Sequence, residues 1–89
     1  MNAIITVVGS DKVGIIARVS GFLAERNINI LDISQTVLSG NFVMMMVVDL
    51  SLSTKVMEDV KKELTEMGES FNVSISMMHE KVFSAMHRV

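Results

Sequence analysis

Ile4-Ile5-Thr6-Val7-Val8-Gly9-Ser10-Asp11-Lys12-Val13-Gly14-Ile15-Ile16-Ala17-Arg18-Val19 is the stretch from which the fold is read. Its first five residues are β-branched, and Thr6 alone is polar. Apolar residues fall on both alternating sets, which predicts a central strand covered on both faces. Its last residues change period. Ile15, Ile16, Val19, Phe22 and Leu23 are spaced i, i+1, i+4, i+7, i+8, a single helical stripe that predicts a helix over residues 13–26. Between them Gly9 and Gly14 bound a tight turn. A strand–turn–helix junction of this kind aims backbone N–H groups outward at the positive end of a helix, where a small anion docks.

The rest of the chain repeats the unit. Residues 28–38 alternate, with Leu31, Ile33 and Val37 on one face beside Asn29 and Gln35, and a largely polar set opposite. That pattern predicts an edge strand. Ser39-Gly40-Asn41 is a hairpin signal. Residues 42–50 return as a strand apolar on both faces, and so central. Ser53 is a plausible N-cap for a second helix carrying Val56, Met57, Val60, Leu64 and Met67 on its inner stripe. Gly68 is placed to stop it. In residues 71–78, Phe71, Val73, Ile75 and Met77 face in while Asn72, Ser74 and Ser76 face out, a second edge strand.

The element order is therefore β-α-β-β-α-β, two βαβ halves joined by a hairpin. Right-handed crossovers and the burial pattern select an α+β, ferredoxin-like sandwich. Its antiparallel sheet has the order 4-1-3-2, with two helices on one face. The other face then presents Ile, Val and Met unless something covers it. Residues 79–89 extend past this unit as a short tail with Val82, Phe83 and Met86 on one helical face. Too short to hold alone in water, it docks on the open sheet face or on a partner. The division expected is a domain over 1–78 and a helical tail over 79–89.

Composition narrows the function. The chain has 89 residues, 49% of them apolar and 20% charged, and a net charge of −2. So apolar a chain of this length expects a partner surface, most simply a second copy. No basic run exceeds Lys61-Lys62, and tryptophan and tyrosine are absent, which argues against nucleic acid. No apolar run is long enough to span a bilayer. With no cysteine and no signal-peptide pattern, a cytoplasmic location is the default.

Chemistry-bearing residues are few. Asp11 is positioned to cap the first helix. Lys12 opposes the helix dipole, so it is either solvated or holds an anion. Asn27 ends the helix in a left-handed cap. Asn29, on the inward set, needs hydrogen-bond partners, either backbone of the Gly9–Gly14 turn or the polar end of a ligand. His79 and His87 are two imidazoles eight residues apart, too few for a metal centre. Asp32 and Asp49 are isolated carboxylates without a partner for acid–base work. The Met44–Met46 run is core and interface filler. No cofactor, metal site or catalytic residue is expected.

Ser10-Asp11-Lys12-Val13-Gly14-Ile15-Ile16-Ala17-Arg18-Val19, then Leu23-Ala24-Glu25 and Ile28-Asn29-Ile30, resembles the ACT domain over residues 1 to about 78. The tail, with His79-Glu80, Phe83 and Met86-His87-Arg88, is similar to that of a small stand-alone ACT family. The resemblance implies a regulatory domain that pairs and binds an amino acid where the first turn meets a neighbour. Carried over, the ligand contacts fall on Gly9, Ser10, Asp11, Lys12, Val13, Gly14 and Asn29. Asp11 stands where the family often has an amide, and Val13 where it has proline. A carboxylate at 11 cannot donate to an amino acid's carboxylate, but it can hold the ammonium. The expectation is a non-catalytic amino-acid-binding homodimer. The rival is a ligand-free interaction module docking a protein through the tail or the open sheet face.

Overall fold

The structure is a computed structural model and describes residues 1–10 and 14–86. Seven elements follow one another: β1 (Asn2–Gly9), α1 (Ile15–Glu25), β2 (Asn29–Leu38), β3 (Asn41–Asp49), α2 (Met57–Phe71), β4 (Ser74–His79) and α3 (Glu80–Met86). The four strands form one antiparallel sheet in the order β2-β3-β1-β4. That is the expected 4-1-3-2 read from the other edge. The principal extents are 35 × 34 × 19 Å, a thin two-layer plate.

The core lies between the sheet and the first two helices. Ala3, Ile5 and Val7 of β1, Phe42, Met44, Met46 and Val48 of β3, and Ile75 and Met77 of β4 are all buried. They meet Ile15, Val19, Phe22 and Leu23 of α1 and Val60 and Leu64 of α2. The alternation of strand residues and the helical stripe thus select the same face. Each fully buried side chain of this size contributes about 1.5–3 kcal/mol. On the opposite face Ile4 is buried, but Val8 is exposed. Cover comes from the tail: Phe83 of α3 shares a cavity with Ile4, Met45 and Val47. The tail helix therefore docks in its own chain, on the open sheet face. Burial of the central strands on their second face is partial for that reason.

The hairpin between β2 and β3 is tight. Ser39 and Gly40 both have positive φ, 53° and 79°, as a two-residue type I′ turn requires. Further along, the register slips between Ile30 and Asp32, leaving Leu31 as an extra residue. This bulge reverses the alternation expected for β2. Ile33, Gln35 and Val37 stay on the helix side, opposite Met46, Met44 and Phe42. Asn29 pairs with Asp49 and belongs to the other set. The helix-side residues of β2 are also uncovered in the single chain. Ile33 is 39% and Val37 71% exposed, because α1 touches β2 marginally.

Gly68 does not stop α2. The helix runs on to Phe71 and ends at Asn72, whose φ of 57° is left-handed. Hydrogen bonds from Asn72 N–H to Glu69 and from Val73 N–H to Gly68 close it, the pattern of a Schellman motif. Gly68 instead lets α2 approach β4. A Cβ there would lie 2.7 Å from the Val73 carbonyl oxygen. Gly21, in the middle of α1, has nothing within 4 Å of a would-be Cβ. Phe71 consequently sits on the helix, with the Arg18 guanidinium 5.0 Å from its ring. Ser53 does not cap α2 either: its hydroxyl donates to the Lys55 carbonyl at 2.6 Å, and the helix starts three residues later than a cap at Ser53 would put it.

Candidate functional site

The residues singled out in the sequence lie at two ends of the sheet. Gly9 closes β1 opposite Phe42, and Gly14 opens α1 with φ 79°, ψ −18°. That left-handed conformation is open to glycine with little strain. The first-turn N–H groups of α1 have no acceptor within the helix and face the connection. Ser10 is the last described residue before the turn. Asp11, Lys12 and Val13 lie outside the described residues, as do His87 and Arg88.

Asn29 is at the far end. It pairs with Asp49, which pairs in turn with Asn2. Gly9 is seven strand residues from Asn2, or about 23 Å. Within one chain, therefore, the Asn29 amide cannot reach the glycine turn. It is exposed there, contrary to the inward position expected, because the bulge at Leu31 turns it over.

Around Asn29 a second constellation forms. Asn27 adopts φ 60° at the end of α1, where its N–H bonds Ala24 and the next N–H, from Ile28, bonds Leu23. This is the expected left-handed cap. Just before it, Arg26 is clamped. Its guanidinium donates to Glu63 at 2.9 and 3.3 Å and to the Phe22 carbonyl at 2.9 Å. It also lies 3.6 Å over the Phe22 ring. Lys55 joins Glu63 at 3.3 Å. The Arg26 hydrogen bond, supported by Lys55, holds the Glu63 carboxyl below its ordinary range. The Thr54 N–H donates to the Arg26 carbonyl at 3.0 Å, fixing the loop after β3 against the end of α1.

That loop completes a cavity of about 440 Å³ lined by Ala24, Asn27, Ile28, Asn29, Asp49 and Leu52. Asp49 Oδ1 accepts from the Ser51 hydroxyl at 2.6 Å and the Ser51 N–H at 2.9 Å. The Met1 ammonium is 3.6 Å from the same oxygen. The Ser51 hydroxyl, then its N–H, lowers the Asp49 pKa, so the carboxylate is ionised at neutral pH. The sequence reading set Asp49 aside as an isolated carboxylate and did not single out Leu52. Asp49 carried no signal, since its neighbour across the sheet depends on the bulge.

The remaining candidates resolve into local roles. His79 Nδ1 accepts from the Lys81 N–H at 3.1 Å, tying β4 to α3. Asp32 Oδ1 accepts from the Ile33 N–H at 2.9 Å. Among the described residues no group of three or more His, Cys, Asp or Glu side chains is placed to hold a metal.

A family model described as the ACT domain matches residues 2–78. The chain belongs to the ACT domain family. Relatives share its full length: a UPF0237 protein of Listeria innocua is 52% identical over 89 residues, covering 100% of each chain. Among solved structures, an ACT domain protein from Streptococcus pneumoniae is 47% identical with a TM-score of 0.83, covering 98% of both chains. A formyltetrahydrofolate deformylase from Pseudomonas syringae is 25% identical with a TM-score of 0.77. It matches 86% of this chain but 26% of the longer enzyme, so the likeness is to one part of that protein. ACT domains are regulatory ligand-binding domains, and the ACT fold here is the ferredoxin-like one.

Proposed function

We propose that this ACT chain is a non-catalytic regulatory domain of the cytoplasm that binds a small amino acid, or a related metabolite, as a homodimer. The ligand contacts are Gly9, Ser10, Asp11, Lys12, Val13, Gly14 and Asn29. The observation that carries this reading is the separation of Gly14 from Asn29 along α1. Both positions match the family's ligand contacts, yet they stand at opposite ends of the domain.

Two copies remove the difficulty. β2 is an edge strand, ten residues long, and such an edge is a template for pairing. Antiparallel pairing of β2 with the same strand of a second copy sets Asn29 of one beside Leu38 of the other. Leu38 lies at the glycine end, next to Val37, which pairs with Phe42, and Phe42 pairs on its other side with Gly9. Each Asn29 is then brought to the same end of the sheet as the partner's turn, giving two equivalent sites. The uncovered Ile33 and Val37 supply apolar area for the contact. A ligand held by both copies stabilises the pair by linkage, and that is the regulatory output.

The test is calorimetric titration of the protein with each of the twenty amino acids, beside sedimentation at micromolar concentration. A dimer with at least one saturable titration is expected. An intact dimer that binds none of them defeats the sensor reading, and a monomer defeats the arrangement.

A second reading has its own support. Val82 and Met86 of α3 are 51% and 64% exposed. They suit a ligand-free module that docks another protein through a tail unit, residues 79–89, or through the neighbouring sheet face. Removing residues 80–89 separates the two, since it abolishes partner capture in this reading and spares amino-acid binding in the first.

A further inference from the structure

The sheet face turned away from α1 and α2 carries a second constellation. The register sets Ile4, Val47 and Asp32 in one row across β1, β3 and β2, and Met45 and Ser34 side by side in the next. With Phe83 of α3, these residues line a cavity of about 200 Å³. Most of the lining is apolar: Ile4 is buried, and Met45, Val47 and Phe83 are half-buried. The β2 side is polar. Asp32 is the one charged side chain there. Its Oδ1 accepts from the Ile33 N–H at 2.9 Å, which orients the carboxylate. Among the described residues Oδ2 accepts no hydrogen bond, Asp32 has no ion pair, and the Ser34 hydroxyl has no partner. An apolar volume well above that of a water molecule is uncommon in a packed protein and favours an apolar occupant. A carboxylate at its rim favours an occupant with a positive end.

We propose that this cavity binds a small apolar monoamine. Its alkyl body lies on Ile4, Met45 and Val47 beside Phe83, and its ammonium donates to Asp32 Oδ2 and the Ser34 hydroxyl oxygen. Charge complementarity selects the class. A carboxylic acid sets like charge against Asp32. An α-amino acid carries a carboxylate next to its ammonium, and no cationic side chain lines the cavity to receive it. Ile4 is five strand residues from Gly9, about 17 Å. The site is therefore separate from the glycine turn, and a single chain supplies all of it.

The probe is 3-methylbutylamine, titrated beside 3-methylbutan-1-ol and 3-methylbutanoate, which keep the alkyl body and change the head. Methyl NMR of the full chain reads Ile4, Met45 and Val47 directly. Saturable shifts are expected there with the amine, while the Gly9 and Gly14 amides stay in place. The amine should bind at least about tenfold more tightly than the alcohol, as a hydrogen bond to a charged group implies. Asp32→Asn, at an exposed position, should bring the two within about threefold. Phe83→Ala should weaken amine and alcohol alike, because it removes apolar contact and leaves the charge. An alcohol that matches the amine in the unaltered protein overturns the ammonium assignment, as does an amine preference that survives Asp32→Asn. The first comparison needs no variant, so it decides even if Asp32→Asn fails to fold. Shifts at Gly14 instead, or none at millimolar amine, overturn the site. The amino-acid reading of the Gly9–Gly14 turn is tested by its own titration and is unaffected by either result.

Discussion

Replacing Gly68 with alanine tests how α2 is seated on the sheet. Two effects oppose each other. Alanine in a helix interior is favoured over glycine by about 1 kcal/mol. Against this, the new methyl would stand 2.7 Å from the Val73 carbonyl oxygen, 3.1 Å from Ile75 Cγ1 and 3.4 Å from the Ile75 N–H. The nearest of these is backbone, held in place because Val73 N–H bonds back to the Gly68 carbonyl at 2.9 Å. Relief therefore requires α2 to lift from β4, loosening Leu64, Ile75 and Met77. Overpacking of this kind costs about 1–3 kcal/mol. With the closest contact at 2.7 Å to backbone that cannot turn aside, the upper part of that range, about 2–3 kcal/mol, applies, and the net expectation is a loss of roughly 1–2 kcal/mol. For a domain of this size, that lowers the thermal midpoint by roughly 4–16 °C. With no tryptophan or tyrosine in the chain, far-ultraviolet circular dichroism is the natural probe of heat and urea unfolding. A Gly68→Ala protein as stable as the original, with an unchanged urea slope, would refute the close approach of α2 to β4.

Three further outcomes are expected. Gly21→Ala meets nothing within 4 Å, so it should raise the midpoint by up to about 8 °C through helix propensity alone; a lower midpoint would mean that another copy occupies the space beside Gly21. Gly40→Val forces a β-branched residue to φ 79° in the hairpin and should cost about 1–2 kcal/mol, read as a shift in the urea midpoint; an unshifted midpoint would count against the type I′ turn. Glu63→Gln removes a carboxylate that Arg26 and Lys55 hold below its ordinary value of 4.5. The unfolded chain binds that proton more readily, so the carboxylate's stabilisation is full above pH 4.5 and is lost as pH falls through the lower folded value. The stability gap between the two proteins should narrow on acidification from neutral pH, and a gap that widens would reverse the assignment.

The strand order was legible because burial and topology agreed. Val7 and Met44 are apolar residues on strands that need two neighbours, and β1 and β3 have them. What period could not show was the cause of each exception. Gly68 and Gly21 are both glycines on helices, and no local feature separates one pressed against Val73 from one facing open space. Only the seat of α2 on β4 makes the difference. Phe71 was assigned inward by alternation with Val73. The Schellman ending at Asn72 moved it onto the helix, since a left-handed residue resets the direction of the chain. Nor did any pattern show that Ile33 and Val37, apolar and on the correct face, would be left without a helix above them.

The site was less legible, and one residue explains why. Carried unbroken from the Leu38–Asn41 pair, the hairpin register would set Asn29 opposite Leu50. The extra residue at Leu31 moves it opposite Asp49 instead. An amide expected beside an apolar partner thereby joins the carboxylate that gives the cavity its charge. The same geometry bears on how a sensor of this kind works. An α-amino acid is only a few ångströms long, whereas Gly14 at the start of α1 and Asn29 beyond its end are separated by about 16 Å of an eleven-residue helix. In the proposed reading no single chain offers both contacts to one ligand. Binding should therefore depend on protein concentration, vanishing on dilution below the dimer's dissociation constant and returning above it. Saturable binding to a demonstrated monomer would break the link between ligand and assembly on which the regulatory reading depends.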